Sequence, residues 1–190
     1  MNKKLPKGWR EVRLGEVCEV NPESLKENTN LNLDFYYIDL SSTCDGNYIL
    51  PNTKITFKKA PSRARRIIKN NDVCFGTVRP NLKNHCKIDR NDCIASTGFA
   101  VLRAKQHCYF DYLYYYIFSY NIDKQIEQIV VGSNYPAVNS SDVSNLQISL
   151  PPLETQKEIA SFLSKINGIA FRKRQYKYYL NKLLDYKNYE

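Results

Sequence analysis

Residues 146–160 read Leu-Gln-Ile-Ser-Leu-Pro-Pro-Leu-Glu-Thr-Gln-Lys-Glu-Ile-Ala, and this stretch divides the chain in two. Leu146 to Leu150 has the composition of a strand, and Pro151-Pro152 must end it, because proline has no N–H to give to a ladder. No proline follows Pro152. From about Glu154 to Tyr189 the residues at seven-residue intervals are Ile159, Ile166, Lys173, Leu180 and Lys187, with Phe162, Ile169, Tyr176 and Leu183 three places after the first four. Seven of those nine positions are apolar, which is the seam of a coiled coil. A helix of about 35 residues rising ~1.5 Å each is ~50 Å long, more than one small domain can cover, so its seam calls for a partner helix; the plainer alternative is an amphipathic core helix that folds back on its own domain. Gly168 inside it costs about 1 kcal/mol relative to alanine and suits a bend or a close helix approach. The expected division is a domain at 1–150 and a pairing helix at 151–190.

Upstream of the prolines the chain reads as short strands and turns. Val12 and Leu14 alternate with Glu11 and Arg13, and Phe35 to Leu40 is aromatic and β-branched. Cys44-Asp45-Gly46-Asn47 is a turn. Further strands are expected at Lys54–Phe57, Asp72–Phe75, Cys86–Ile88 and Gly98–Leu102, set apart by Asn, Asp, Gly and Pro. The pattern changes at Asp111, a candidate N-cap for a mostly buried helix reaching about Tyr120. Ile122, Ile126 and Ile129-Val130 then fall at helical spacing and stop before Gly132. The fold class is therefore α+β: a mixed, strand-rich body with packed helices, followed by one long C-terminal coiled-coil helix.

The 190 residues fit one domain with an appendage, and an apolar content of 43% with 15 tyrosines and 8 phenylalanines supplies a core. The 28 basic and 19 acidic residues leave a net charge of +9, which favours a polyanionic partner because each neutralised phosphate releases counterions. After Met1 to Lys4 comes Leu5-Pro6-Lys7-Gly8 in place of an apolar leader, and no window approaches 18 apolar residues. The expectation is a cytoplasmic protein without a membrane partner. The six cysteines contain no Cys-x-x-Cys pair and read as buried thiols. His85-Cys86 and His107-Cys108 would each offer one metal ligand at most, since neighbouring strand residues face opposite sides, so no metal or other cofactor is expected.

Catalytic signatures are missing. There is no Gly-x-Gly turn and no Asn/Asp-Pro-Pro-aromatic loop of the kind adenine methyltransferases use; Asn134-Tyr135-Pro136 has the wrong order. No Glu-x-Lys nuclease triplet occurs, and Asp185-Tyr186-Lys187 lies in the coil. There is no Gly-x-Ser-x-Gly, and both histidines sit beside cysteines. The positive signal is two basic, turn-forming stretches, Ala60-Pro61-Ser62-Arg63-Ala64-Arg65-Arg66 and Thr77-Val78-Arg79-Pro80-Asn81-Leu82-Lys83-Asn84. Arginine forks onto guanine O6/N7 or phosphate, asparagine pairs with adenine N6/N7, and lysine adds point charge. Arg63, Arg65, Arg66, Arg79, Asn81 and Lys83 are the candidate DNA contacts, with Ser133, Asn134 and Tyr135 on a second loop. The plainer alternative is a pair of solvated surface loops.

Several segments resemble Type I restriction-modification specificity subunits, and they occur in family order. These are Leu5-Pro6-Lys7-Gly8-Trp9 with Leu14-Gly15-Glu16-Val17, Ala60–Ala64, Asn71–Cys74 leading to Val78-Arg79-Pro80, Ser96–Leu102, and Ile148–Ala160. The last, a strand running into Pro-Pro-Leu-Glu-x-Gln and a coil, is the distinctive one. The resemblance implies a non-catalytic target recognition domain that reads half of a bipartite target on double-stranded DNA. It also implies a helix that pairs with a second such helix and docks DNA methyltransferase subunits, and through them a restriction subunit. On that view Ile159, Phe162, Ile166, Ile169, Tyr176, Leu180 and Leu183 form the dimerisation seam. The usual subunit carries two domains and two helices in tandem, and this chain has one of each. It therefore pairs as a homodimer, pairs with a second half-subunit, or is a fragment. Two other classes stay open: an adaptor or antagonist with a specificity subunit's shape that does not read DNA, and a standalone nuclease.

Overall fold

The computed structural model describes residues 5–130 and 136–168. Ser133, Asn134, Tyr135 and the seam positions Ile169, Tyr176, Leu180 and Leu183 lie outside the described residues. In chain order the elements begin with β1 (Arg10–Arg13), α1 (Leu14–Val17), β2 (Cys18–Val20), β3 (Asp34–Ile38), β4 (Thr43–Cys44), β5 (Asn47–Tyr48) and β6 (Ile55–Thr56). They continue with β7 (Ala64–Ile68), β8 (Val73–Gly76), β9 (Cys86–Lys87), β10 (Cys93–Ser96) and β11 (Phe99–Ala104). Last come α2 (Phe110–Tyr116), α3 (Tyr120–Ile129), α4 (Ser140–Asn145), β12 (Gln147–Leu150) and α5 (Leu153–Gly168).

Two four-stranded sheets carry the body, in the orders β2-β11-β8-β9 and β6-β3-β10-β7. The first is antiparallel throughout, and in the second only the β10–β3 pair is parallel. The pleat sends alternate side chains to opposite faces, and both faces of the first sheet are used. Val73, Phe75, Ala100 and Leu102 point into a large core with Tyr112, Leu113, Ile117, Ile122 and Leu163 from the helices. Cys74, Phe99 and Val101 point the other way, against Ile38, Ile68, Cys93 and Ala95 of the second sheet. Ile94 faces outward to a smaller cluster with Phe35, Phe57 and Ala64. The layers are helices, sheet, sheet.

A sequence buried on both faces shows no polar alternation, which is why β10 escapes a reading by periodicity. β7 escapes for a different reason. Its arginines look like loop residues, yet Ala64–Ile68 pairs with β10. The second helical region follows its isoleucine spacing, with Ser119 as N-cap accepting from Ile122 N at 3.4 Å. Asp111 is not the cap of α2. The helix starts two residues earlier than that cap implies, at Phe110 with Tyr109 at the N-cap position, and Asp111 sits in the first turn ion-paired to Lys87. The expected strand through Leu14 ends at Arg13, and α1 begins at Leu14. α4 was not foreseen; its capping box joins Asn139 and Asp142 through bonds of 2.8 and 2.9 Å.

The ladder of β12 stops at Leu150, as the two prolines require, and pairs with β1 from Arg10↔Leu150 to Arg13↔Gln147. α5 then returns onto the body. Ile159, Ala160 and Leu163 are buried in the main core. Ile159, expected in an intermolecular seam, is thus core of its own domain, because the first turns of the helix lie against α2. Phe162, on the other side of the same turns, is 46% exposed. Among the described residues no helix is long and apolar enough to cross a membrane.

Gln156 explains the Pro-Pro-Leu-Glu-x-Gln string in physical terms. Its buried amide donates to His107 O at 3.1 Å and Pro151 O at 2.9 Å, and accepts from Tyr109 N at 2.7 Å. One side chain therefore satisfies three backbone groups that the β11–α2 and β12–α5 connections leave without ladder partners. Gln156→Leu keeps the volume and orphans all three. It is expected to lower the unfolding free energy by about 2 kcal/mol, read as a lower urea midpoint at unchanged slope.

Candidate nucleic-acid interface

The two basic stretches are ten residues apart and belong to different sheets, and the turn from β10 to β11 brings them together. Thr97 N donates to Arg63 O at 2.9 Å, while Thr77 donates to Gly98 O through its N at 2.9 Å and its Oγ1 at 2.8 Å. Arg63 and Thr77 are thereby bonded to adjacent residues of one turn. Beneath it, Tyr37 Oη donates to Asp39 Oδ2 at 2.8 Å; burial raises this phenol, which also interacts with Ser96 and Arg63. Gly76 is required here, since a Cβ on it would stand 2.5 Å from the carbonyl oxygen of Asn84, where the second basic loop closes back on the sheet.

That loop is held from both sides. Arg79 N donates to Pro136 O at 2.8 Å, Val138 N to Thr77 O at 3.0 Å, and Val78 bridges Ala137. Pro136, Ala137 and Val138, which follow Tyr135 in the sequence, therefore lie along the Thr77–Arg79 segment. Arg79 and Lys83 both take left-handed backbone, with φ of 49° and 54°, around a one-turn 3-10 helix of Pro80–Leu82. Non-glycine residues rarely adopt that region, and Arg79 precedes a proline, which ordinarily holds its neighbour extended.

His85 anchors the loop from below. Its Nδ1 accepts from Gly76 N at 2.9 Å, which places the ring hydrogen on Nε2. The ring stacks on Phe75 at 4.2 Å and meets Phe118 edge-on at 5.3 Å. Burial, assisted by Lys83, drives its pKa down to about 3, so it is neutral near pH 7. Cys86 turns to the opposite face and packs in the core between the sheets. Among the described residues no group of three His, Cys, Asp or Glu side chains could hold a metal ion.

The six described candidates divide. Arg63, Arg79 and Asn81 are exposed. Arg65 lies over the Phe57 ring at 4.9 Å and donates to Ala64 O at 3.1 Å. Arg66 donates to Ser24 Oγ at 3.2 Å, its Nε is buried without a partner among the described residues, and burial lowers its pKa. Both are half-buried because residues 24 and 25 run along the outer edge of β7, where Leu25 N donates to Arg65 O at 2.7 Å and Ser24 bridges Arg66. Lys83 is spent internally, on Asp123 at 2.6 Å and Phe118 O at 3.0 Å. Thr97 and Leu82 were not among the sequence candidates. A Ser-Thr-Gly turn between two apolar runs was the signal for the first; a lone large apolar residue in a polar turn was the signal for the second.

The family described as Type I restriction modification DNA specificity domain matches residues 6–178. The chain is 24% identical over 186 residues to the Type I restriction enzyme MjaIX specificity subunit of Methanocaldococcus jannaschii, covering 95% of this chain and 43% of that one. It is 21% identical over 165 residues to the HindI specificity subunit of Haemophilus influenzae, covering 84% and 35%. The crystal structure of the HsdS subunit from Thermoanaerobacter tengcongensis is similar with a TM-score of 0.77 at 38% identity, over 87% of this chain and 43% of that chain. The chain spans less than half the length of these relatives.

Proposed function

The chain belongs to the Type I restriction-modification DNA specificity family, and from that premise we propose that it reads one half of a bipartite DNA target and has no catalytic role of its own. The observation that carries the reading is the meeting of Arg63 and the Arg79–Asn81 loop at the β10–β11 turn, both exposed and both fixed by backbone bonds. Guanidinium and carboxamide groups are the side chains that discriminate base edges in the major groove, and a net charge of +9 draws the surface to phosphate. In this reading Arg63, Arg79 and Asn81 contact the duplex first, Ser133, Asn134 and Tyr135 extend the surface past Pro136, and Arg65, Arg66 and Lys83 shape it from behind.

The C-terminal helix that begins at Leu153 completes the proposal. Its later seam, Ile169, Tyr176, Leu180 and Leu183, pairs with a second such helix and sets the spacing of two half-sites, and the paired unit docks methyltransferase subunits in the cytoplasm. Arg79→Ala is expected to cost about 1–3 kcal/mol in binding to the preferred duplex and to relax one position of the recognised sequence. Titrations with matched and singly mismatched duplexes at fixed salt measure this. A loss equal across all sequences would reassign Arg79 to phosphate, and absence of any sequence preference in the parent chain would leave an adaptor that does not read DNA.

A further inference from the structure

Leu82 occupies an unusual place for a leucine. It is 56% exposed at the end of the Pro80–Leu82 turn, between Asn81 and Lys83 in an otherwise polar loop. A single exposed leucine is ordinary where the chain beneath it is free to move. Here the turn is closed by Leu82 N to Arg79 O at 2.9 Å and Lys83 N to Pro80 O at 3.0 Å. It is tied to the body through Arg79 N to Pro136 O, through the Lys83 ammonium on Asp123, and through Pro80, which is buried. With the loop backbone and Lys83 committed inward, the carboxamide of Asn81 and the isobutyl group of Leu82 are left exposed. Little backbone entropy remains to be lost when they meet a partner.

We propose that Leu82 is a base-reading residue that packs on the C5 methyl group of a thymine in the major groove. The inference rests on the reading above, that this loop enters DNA. Among base edges in that groove, the thymine methyl is the apolar one, and an adjacent asparagine pairs with adenine, so Asn81 and Leu82 together suit an A·T pair or step. A wedge between base pairs would demand unstacking, for which a leucine held in a one-turn helix beside a hydrogen-bonding asparagine is poorly placed.

The full chain is used to select its preferred duplex from a randomised pool, and each thymine of that duplex is then replaced in turn by deoxyuracil, which removes the methyl group alone. One replacement is expected to weaken binding about fourfold, the worth of one buried methyl group. Leu82→Ala is expected to bind the thymine and deoxyuracil versions equally at that position while keeping its preferences elsewhere. The scan on the unaltered chain needs no variant and so does not depend on how Leu82→Ala folds. If a sequence is selected but no thymine is sensitive, or the sensitivity survives in Leu82→Ala, Leu82 does not read a methyl group and the proposal falls while DNA reading stands. If no sequence is selected, the underlying reading falls with it.

Discussion

Replacing Arg103 by methionine is expected to lower the unfolding free energy by about 3 kcal/mol, the lower end of what breaking a buried ion pair costs. Asp72 is nearly inaccessible, its side chain 2% exposed, and it receives Arg103 Nε at 2.9 Å and Nη2 at 2.8 Å in a two-pronged contact. It also accepts Lys69 N at 2.8 Å. Arg103 reaches further to Glu23, which Lys69 also holds, and these two cations keep the Glu23 carboxyl below its usual range. Methionine retains the aliphatic stem and abandons the carboxylate, so the penalty is that of a stranded buried charge. The lower end applies because the Arg103 side chain is 23% exposed and partly screened. The double variant Asp72→Asn with Arg103→Met removes the stranded charge and is expected to recover at least half of the loss. Urea unfolding of the two single variants and the double closes the cycle. Equal stability of Arg103→Met and the parent chain would show that the pair contributes nothing.

The consequence reaches the interface. Arg103 lies on β11, Asp72 just before β8, and Glu23 on the segment that passes from β2 to the edge of β7, where its carbonyl accepts from Ile67 N at 3.1 Å. The network therefore clamps the two sheets at the end of β8 and β11 remote from Gly76 and Phe99, while the Ser96–Gly98 turn joins them at the other. The placement of Arg63 relative to Arg79 is a property of both clamps. Arg103→Met is accordingly expected to disturb binding as well as stability, although no part of this network lies in the basic loops.

What could be read from the sequence follows from which forces are local. The stop at Pro151-Pro152, the isoleucine spacing of α3 and the helix beginning near Leu153 depend on missing donors and on a 3.6-residue period, and both are printed in the chain. β10 was illegible because burial on two faces erases alternation. The fates of Arg65 and Arg66 were illegible too: composition marked them as DNA contacts, and only the tertiary path of residues 23–25 over β7 turns them into half-buried supports. Arg63 and Arg79 stand out in the sequence by their chemistry, but their placement near one turn depends on the bonds of Thr77, Thr97 and Gly98, across two sheets that no local pattern relates. The seam shows the same limit. A heptad count cannot tell a residue that packs on its own domain, as Ile159 does, from one that would pair with a second helix, because both uses want the same residue at the same spacing.

Acid is expected to destabilise the fold well above the range where carboxylates titrate, and His85 is the reason. Its folded pKa is depressed to about 3, against about 6.5 in an unfolded chain. Between these values the unfolded chain takes up a proton that the native ring refuses, so stability is fully present above pH 6.5 and is lost progressively as the pH falls toward 3. The slope is about 1.4 kcal/mol per pH unit, or roughly 2 kcal/mol between pH 6.5 and 5. Glu23 and Asp92, whose pKa values are lowered by their cationic partners, act in the same direction but only below the ordinary carboxylate range. His107, the other histidine, is exposed. His85→Asn offers an oxygen to Gly76 N in place of Nδ1 and cannot be protonated, so it is expected to be less stable at pH 7, having lost the stack on Phe75, yet level between pH 6.5 and 5. Urea midpoints at half-unit steps separate the two behaviours, and parallel curves for parent and variant would clear His85 of the effect. Because the native ring stays neutral down to about pH 3, it keeps accepting from Gly76 N in every folded molecule, and between pH 6.5 and 5 DNA binding is expected to weaken only as far as the folded fraction falls.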